Sequence, residues 1–159
     1  MTNRHKKKKE KESFHISPSQ FAEKDGREKL QLQIAMEMQR QSSEPLKEGL
    51  YLVATPIGNL GDITLRALSV LARVDSIYCE DTRHSRILLN HYKIHQKLEA
   101  YHDHNAEKQR PRILSLLQEK KSIALISDAG TPLISDPGFK LVSAAIKQDS
   151  PVWIIPGPC

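Results

Sequence analysis

Residues 123–146, IALISDAGTPLISDPGFKLVSAAI, decide the fold class of this chain. The apolar run over 123–127 has the length expected of a buried strand. A loop rich in Asp, Ser, Gly and Pro follows it. A helix signature then begins with Asp136 as N-cap and Pro137 at the first helical position. Strand, loop and helix together predict one β–α unit.

The same unit recurs along residues 49–159. Further apolar runs predict strands at 50–55, 74–79, 98–101 and 152–155. Helical patterns separate them at 64–73, with Asp62 or Thr64 as candidate cap, at 82–92 and at 107–120. Pro111 either sits in the first turn of the last of these or kinks it. Strands alternating with helices predict an α/β domain: a five-stranded, mostly parallel sheet with helices on both faces.

Residues 1–48 differ in composition from this domain. The chain has 159 residues and a net charge of +5, and residues 4–11 alone hold six lysines and arginines. Low hydrophobicity predicts disorder over 1–20, and Leu30, Ile34 and Met38 predict an amphipathic helix over about 27–41. This basic extension either makes weak phosphate contacts to RNA or is only a solubilising tail.

Composition also limits the classes of protein to consider. No apolar stretch is long enough for a membrane helix, and no secretory signal pattern follows the first residues. The two cysteines, Cys79 and Cys159, lie far apart, which fits a reducing cytoplasm rather than a disulfide scaffold. We therefore expect a soluble cytoplasmic protein.

A polar or glycine-rich segment follows each of the five predicted strands. Ligands of open parallel sheets bind at the carboxyl ends of the strands, so these segments predict a pocket there. The loop at 127–138 is the most informative, because capping explains Asp136 but not Asp128, Gly130 or Thr131. Its rigid, irregular backbone suits the adenosine and amino-acid portions of a nucleotide-like cofactor.

Two other chemistries fit the residues poorly. Five histidines fall within 84–104, but their spacing is irregular, and no Cys or Glu completes a tetrahedral metal site. A serine hydrolase is disfavoured because the G-x-S-x-G elbow does not occur. We expect no metal.

The combination of segments carries a resemblance to a known family. VATPIGNLGDIT at 53–64, CEDTRH at 79–84, YHDHN at 101–105, residues 127–138 and PGPC at 156–159 occur in this order. In that order they resemble ribosomal RNA small-subunit methyltransferase I, within the tetrapyrrole methylase superfamily. The resemblance covers residues 49–159. It implies a cytoplasmic, homodimeric enzyme that transfers a methyl group from S-adenosylmethionine to the 2′-hydroxyl of a cytidine in small-subunit ribosomal RNA.

The resemblance also implies roles for individual residues. Asp81, His102 and Asn105 are candidates for orienting or deprotonating the ribose hydroxyl, and Arg83 is a candidate phosphate clamp. Two structural alternatives stay open: Asp81 as a helix cap, and His102 as a hydrogen-bonded residue at a strand end. Cofactor contacts are implied for eight residues: Pro56, Gly58, Asp128, Ala129, Gly130, Thr131, Pro132 and Ser135.

The chain departs from the family at its C-terminus. Members of the family have a second α/β domain after the Pro-Gly-Pro-Cys turn, whereas this sequence stops at Cys159. We therefore expect an N-terminal half that is not a competent enzyme alone. Two alternatives remain, a small-molecule (tetrapyrrole-type) methyltransferase and a non-catalytic remnant.

Overall fold

The structure is a computed structural model that describes residues 19, 22, 24–132 and 136–159, with only the backbone at 136 and 137. Its strands are β1 (Gly49–Val53), β2 (Ser76–Cys79), β3 (Lys97–Ala100), β4 (Ser122–Ile126) and β5 (Val152–Ile155). Its α-helices are α1 (Gly26–Ser43), α2 (Leu65–Leu71), α3 (Thr82–His91), α4 (Ala106–Gln118) and α5 (Asp136–Lys147). The predicted α/β fold is confirmed, with strand ends shifted by one or two residues from the predicted ones.

The five strands form one sheet in the order β3-β2-β4-β1-β5, and every pair is parallel. The central strand β4 therefore lies between β1 and β2, which are consecutive in sequence. The chain leaves β2 toward one edge of the sheet and leaves β4 toward the other. The segments that follow these adjacent strands diverge, and such a point is where open α/β sheets bind ligands.

Helices cover both faces of the sheet because side chains alternate along each strand. On one face, Val53, Ile77 and Ile126 pack with residues of α2 and α3. On the other, Leu52, Tyr78 and others pack with α4 and α5. The right-handed crossover rule accounts for this division, since the chain moves in opposite directions along the sheet before and after β3.

Two helix termini resolve alternatives that the sequence left open. Thr64 caps α2, because its hydroxyl accepts a hydrogen bond from the backbone N–H of Ala67 at 3.1 Å. Asp62 instead ends a short 3-10 helix, Leu60–Asp62. Pro111 lies inside α4, beyond its first turn. Because proline has no N–H, the carbonyl of Glu107 loses its helical hydrogen bond there.

Backbone contacts divide the chain into two compact units, Met1–Arg40 and Gln41–Cys159. The predicted helix is present as α1. Asp25 caps it, with Oδ1 accepting hydrogen bonds from the N–H groups of Arg27 and Glu28 at 2.8 and 2.9 Å. The disorder predicted for residues 1–20 falls outside the described residues, apart from residue 19.

A matched pair of isoleucines tests the packing of the sheet. Ile77 on β2 is 0 % exposed, whereas Ile146 on α5 is 58 % exposed. We expect Ile77→Ala to lower the free energy of unfolding by about 2–5 kcal/mol, since it leaves a cavity in the core. Ile146→Ala is expected to change it by less than about 0.5 kcal/mol. Urea unfolding followed by circular dichroism measures both, and equal losses would contradict the described core.

Candidate functional site

The carboxyl ends of all five strands lie in one row. Ala100, Cys79, Ile126, Val53 and Ile155 are successive partners across the sheet. The strands therefore end at the same level, and the polar segments that follow them begin side by side. This alignment brings segments that are far apart in sequence to a single edge.

The segments after β1 and β4 are hydrogen-bonded to each other. The N–H of Thr55 donates to the carbonyl of Gly130 at 2.9 Å, and the N–H of Gly130 donates to the carbonyl of Thr55 at 3.0 Å. The Thr55 hydroxyl also donates to the carbonyl of Ser127 at 3.0 Å. We call these three bonds the Thr55–Gly130 bridge. It holds the first part of the 127–138 loop against the chain that leaves β1.

Glycine is required at the centre of this bridge. Gly130 has φ +77°, a conformation that costs a residue with a Cβ roughly 1–2 kcal/mol. A Cβ there would also lie 3.4 Å from Cδ1 of Ile57. Gly58 has φ +83°, and an added Cβ would meet no atom within 4 Å. The space beside Gly58 is open, as a ligand-binding turn needs.

A pocket of about 250 Å³ lies beside the bridge. Its walls come from the segment after β1, the first half of α3 and the end of β4. The lining residues are Thr55, Pro56, Gly58, Asn59, Leu60, His84, Ser85, Ile87, Leu88, Ile126, Ser127 and Asp128. Complete small-molecule sites occupy roughly 300–1,000 Å³, so this pocket has the size of part of one.

Asp128 is the acidic side chain that lines this pocket. Its Oδ1 accepts a hydrogen bond from the backbone N–H of Asp81 at 3.2 Å, which links the segments after β2 and β4. The carboxylate is thereby oriented while half-exposed. It can accept hydrogen bonds from hydroxyl groups of a ligand or face an ammonium group.

The residues expected to hold a cofactor occupy three kinds of position. Pro56, Gly58 and Asp128 line the pocket. Gly130 forms the bridge, and Ala129, Thr131 and Pro132 belong to the same loop. Ser135 lies outside the described residues. The structure therefore brings together the described members of this set along two adjoining segments.

Asp81 and Arg83 are paired with each other at the start of α3. Asp81 caps this helix, with Oδ1 accepting from the backbone N–H of Arg83 at 2.8 Å. The Arg83 guanidinium donates to both carboxylate oxygens, at 3.2 and 2.8 Å. The hydrogen bond from the Arg83 side chain is the main reason that the pKa of Asp81 is lowered to about 2. Such a carboxylate has little affinity for a proton, so the geometry favours a cap and an anchor for Arg83 over a general base.

His102 and Asn105 lie in the turn after β3 and do not line the pocket. The Asn105 side chain accepts from the N–H of His102 at 3.0 Å and donates to the carbonyl of Ala100 at 3.0 Å. Both ends of this amide therefore hold the turn. His102 keeps a buried Nδ1 with no hydrogen-bond partner among the described residues.

Nine residues that line the pocket were not predicted as site residues, and Thr55, His84, Ser85 and Ser127 are among the polar ones. Thr55, His84 and Ser127 lie inside the motifs that carry the family resemblance, and Ser85 follows one of them directly. Their positions in the sequence could have indicated a role in the site, because each lies at the end of a predicted strand or in the first turn of the next helix. His84 places an imidazole at the pocket, whereas His102 lies one strand farther out.

A perturbed carboxyl pKa does not by itself identify this site. Partial burial acts to raise the pKa of Asp75, but hydrogen bonds from the backbone N–H and hydroxyl of Ser122 lower it. Asp75 precedes β2, at the opposite edge of the sheet from the pocket. We therefore interpret it as a structural link between β2 and β4.

Metal-binding clusters and membrane-spanning helices are absent from the described residues. No group of three His, Cys, Asp or Glu side chains in this part of the chain could hold a metal ion. Nor does any helix there have the length and apolar character to span a membrane.

The sequence matches the family model for tetrapyrrole (corrin/porphyrin) methylases over residues 49–159. The chain is 58 % identical, over 116 residues, to the ribosomal RNA small subunit methyltransferase I of Mesorhizobium japonicum. It is 52 % identical, over 121 residues, to the Escherichia coli O157:H7 protein of the same name. These matches include 73 % and 76 % of the chain and confirm the resemblance predicted from the motifs.

The chain spans less than half the length of these relatives, 40 % and 42 % respectively. Among solved structures it is similar to uroporphyrin-III-C-methyltransferase from Thermus thermophilus, with a TM-score of 0.55 and 23 % identity. That match covers 69 % of this chain and 46 % of the solved one. At this identity the likeness concerns the fold alone.

The Asp81–Arg83 pair gives a direct test of the site electrostatics. In Arg83→Ala we expect the pKa of Asp81 to rise from about 2 toward 3.8, because the largest stabilising hydrogen bond is removed. The rise stays partial, since the N–H of residue 83 still caps the helix. An NMR titration of the Asp81 carboxyl carbon measures the shift, and Arg86→Ala serves as the control.

The sign of the pH dependence follows from the lowered pKa. The pair stabilises the fold above the unfolded pKa, and this contribution is lost as the pH falls from about 4 to about 2. An unchanged pKa in Arg83→Ala, or an equal rise in Arg86→Ala, would contradict the described pair.

Proposed function

The chain belongs to the tetrapyrrole (corrin/porphyrin) methylase family, and from that premise we propose that its pocket binds S-adenosylmethionine for methyl transfer to ribosomal RNA. The acceptor is the 2′-hydroxyl of a cytidine in small-subunit ribosomal RNA. The observation that carries the proposal is the pocket beside the Thr55–Gly130 bridge. It lies at the divergence of the segments after β2 and β4.

The residues around the pocket fit part of such a cofactor. The open space beside Gly58 allows close approach of a ligand to the backbone. Asp128 supplies an oriented carboxylate for a ribose hydroxyl or an ammonium group. Leu60, Leu88 and Ile126 supply apolar walls for a flat ring. The volume of about 250 Å³ suits part of the cofactor, as expected for a chain that spans less than half of its relatives.

S-adenosylmethionine supplies an electrophilic methyl group on a sulfonium. The residues of the chain then have to position the ribose hydroxyl in line with that methyl and receive its proton. Asp81 stays ionised and holds Arg83, and Asn105 holds the turn that carries His102. We add His84 to His102 as a candidate proton acceptor, because His84 lines the pocket.

The names of the most similar relatives favour RNA over a small-molecule acceptor. Relatives that are 52 % to 58 % identical are named as ribosomal RNA methyltransferases. The solved porphyrin-type methyltransferase is only 23 % identical. The proposal also includes the small ribosomal subunit as partner, a homodimer, a cytoplasmic location, and a domain that begins at residue 49.

Asp128 gives the sharpest test of the cofactor site. Asp128→Asn keeps an oxygen that can accept from the N–H of Asp81 but removes the charge. We expect it to weaken S-adenosylmethionine binding roughly tenfold, as loss of a charge-assisted hydrogen bond does. The matched control is Asp103→Asn, an exposed residue in the turn after β3. Calorimetric titration measures both; unchanged affinity in Asp128→Asn would overturn the assignment.

The identity of the methyl acceptor needs a separate assay. We would supply tritium-labelled S-adenosylmethionine to this chain, and to this chain joined to the C-terminal remainder of the Mesorhizobium japonicum relative. Small ribosomal subunits are the substrate. Label is expected in alkali-resistant dinucleotides, because a 2′-O-methyl group blocks cleavage of the adjoining phosphodiester.

Two variants accompany that assay. At a limiting concentration of S-adenosylmethionine, Asp128→Asn should lower labelling of the RNA roughly tenfold, and deletion of residues 1–48 should leave it unchanged. Label in a tetrapyrrole but not in RNA would support the small-molecule alternative. If neither protein transfers label to RNA or to a tetrapyrrole, the result would support the non-catalytic alternative.

A further inference from the structure

One stretch of the domain carries positive charge without any acid. Residues 82–98 contain Arg83, Arg86, Lys93 and Lys97 with three histidines, and no Asp or Glu. The domain as a whole is nearly balanced, so this stretch is a local concentration of charge. It comprises α3, the segment after it and the start of β3.

Most of these side chains are exposed on one surface. Ser85, Leu88 and Leu89 form the buried side of α3. Arg86, Ile87, Asn90 and His91 are exposed, and Lys93 follows the helix in an exposed position. We call the exposed residues 86, 87, 90, 91 and 93 the α3 face.

Two of the four cations already have acidic partners. Arg83 is paired with Asp81 at 2.8 Å, and Lys97 with Glu99 at 2.7 Å. Arg86 and Lys93 form no ion pair with any described residue of the chain. The unpaired positive charge of this surface is therefore concentrated on the α3 face itself.

The α3 face leads directly to the pocket. His84, Ser85, Ile87 and Leu88 of the same helix line the pocket. Arg86 lies within α3, and Lys93 lies two residues beyond the end of the helix at His91, with φ +55°. Two exposed cations on the surface beside the pocket can contact phosphates of one RNA segment while a nearby ribose lies at the pocket mouth.

We propose that the α3 face binds the phosphodiester backbone of a single-stranded RNA segment and guides the acceptor ribose to the pocket. We assign phosphate binding to Arg86 and Lys93 instead of Arg83, because Asp81 already neutralises the charge of Arg83. A single-stranded segment is the fitting form, because its ribose can leave the stack and enter a pocket. This inference rests on the proposed function for the nature of the acceptor.

The test compares two double charge reversals in the 159-residue chain. Arg86→Glu/Lys93→Glu alters the α3 face. Lys108→Glu/Lys147→Glu makes the same change of charge on exposed residues of α4 and α5, which cover the opposite face of the sheet. The probe is a twelve-nucleotide unstructured RNA, with binding measured by fluorescence anisotropy from low to high salt.

We expect the α3 reversal to weaken binding roughly tenfold at 0.1 M salt, and to reduce the slope of log K against log salt by about 1.4. The control reversal should leave both nearly unchanged. Contacts from the basic N-terminal segment are common to all three proteins and cancel in the comparison. Equal losses in the two reversals, or an unchanged slope in the first, would overturn the proposal.

A parallel titration with S-adenosylmethionine separates this inference from the proposed function. The α3 reversal should retain cofactor affinity, since neither Arg86 nor Lys93 lines the pocket. Intact cofactor binding with unchanged RNA affinity overturns the α3 proposal alone. If none of the three proteins binds the cofactor, but the α3 reversal alone loses RNA affinity, only the proposed function is overturned.

An anionic membrane is the other surface that these cations could bind. If the α3 reversal leaves RNA binding unaffected but lowers binding to anionic phospholipid vesicles, the α3 face binds a membrane surface and the proposal is wrong.

Discussion

The candidate site depends on the pair of backbone hydrogen bonds between Thr55 and Gly130. These bonds close the start of a long loop against the segment that leaves β1. They require the positive φ of Gly130, and the Thr55 hydroxyl reinforces them through the carbonyl of Ser127. Without them the loop after β4 would be held less firmly to the segment after β1. Because both segments supply walls of the pocket, the bonds help to fix these walls relative to each other.

The site is separated from the interactions that hold the sheet together. Asp75 and Ser122 link β2 and β4 at the amino edge, where the pKa shift of the carboxyl reflects a structural hydrogen-bond network. Asp128 and Asp81 link the segments that follow the same two strands at the carboxyl edge. Hydrogen bonds therefore join β2 and β4 at their amino ends, where they stabilise the sheet, and join the segments after these strands beside the pocket.

The architecture was predictable because it follows from local patterns. Apolar runs separated by helical periodicities predicted five strands and the helices between them, and level strand ends placed the polar segments together. The ion pair between Asp81 and Arg83 was not predictable. It forms because the helix starts at Thr82, which brings the Arg83 guanidinium within hydrogen-bond distance of the capping carboxylate. The same holds for Asn105, whose amide is used by its own turn. His84 was overlooked because only the packing of α3 shows that its first turn faces the pocket.

The strand order has a consequence for how the chain acquires its structure. Strand β4 is made after β1, β2 and β3, yet it occupies the position between β1 and β2. Of the three strands that are synthesised before β4, only β2 and β3 are direct neighbours in the folded sheet. The sheet can therefore close only after residue 126 has left the exit tunnel. Because its central contacts join distant parts of the sequence, we expect folding to be slow for a domain of this size. Until β4 is in place, the apolar β1 leaves its backbone groups unpaired, and such an exposed strand can associate with other chains.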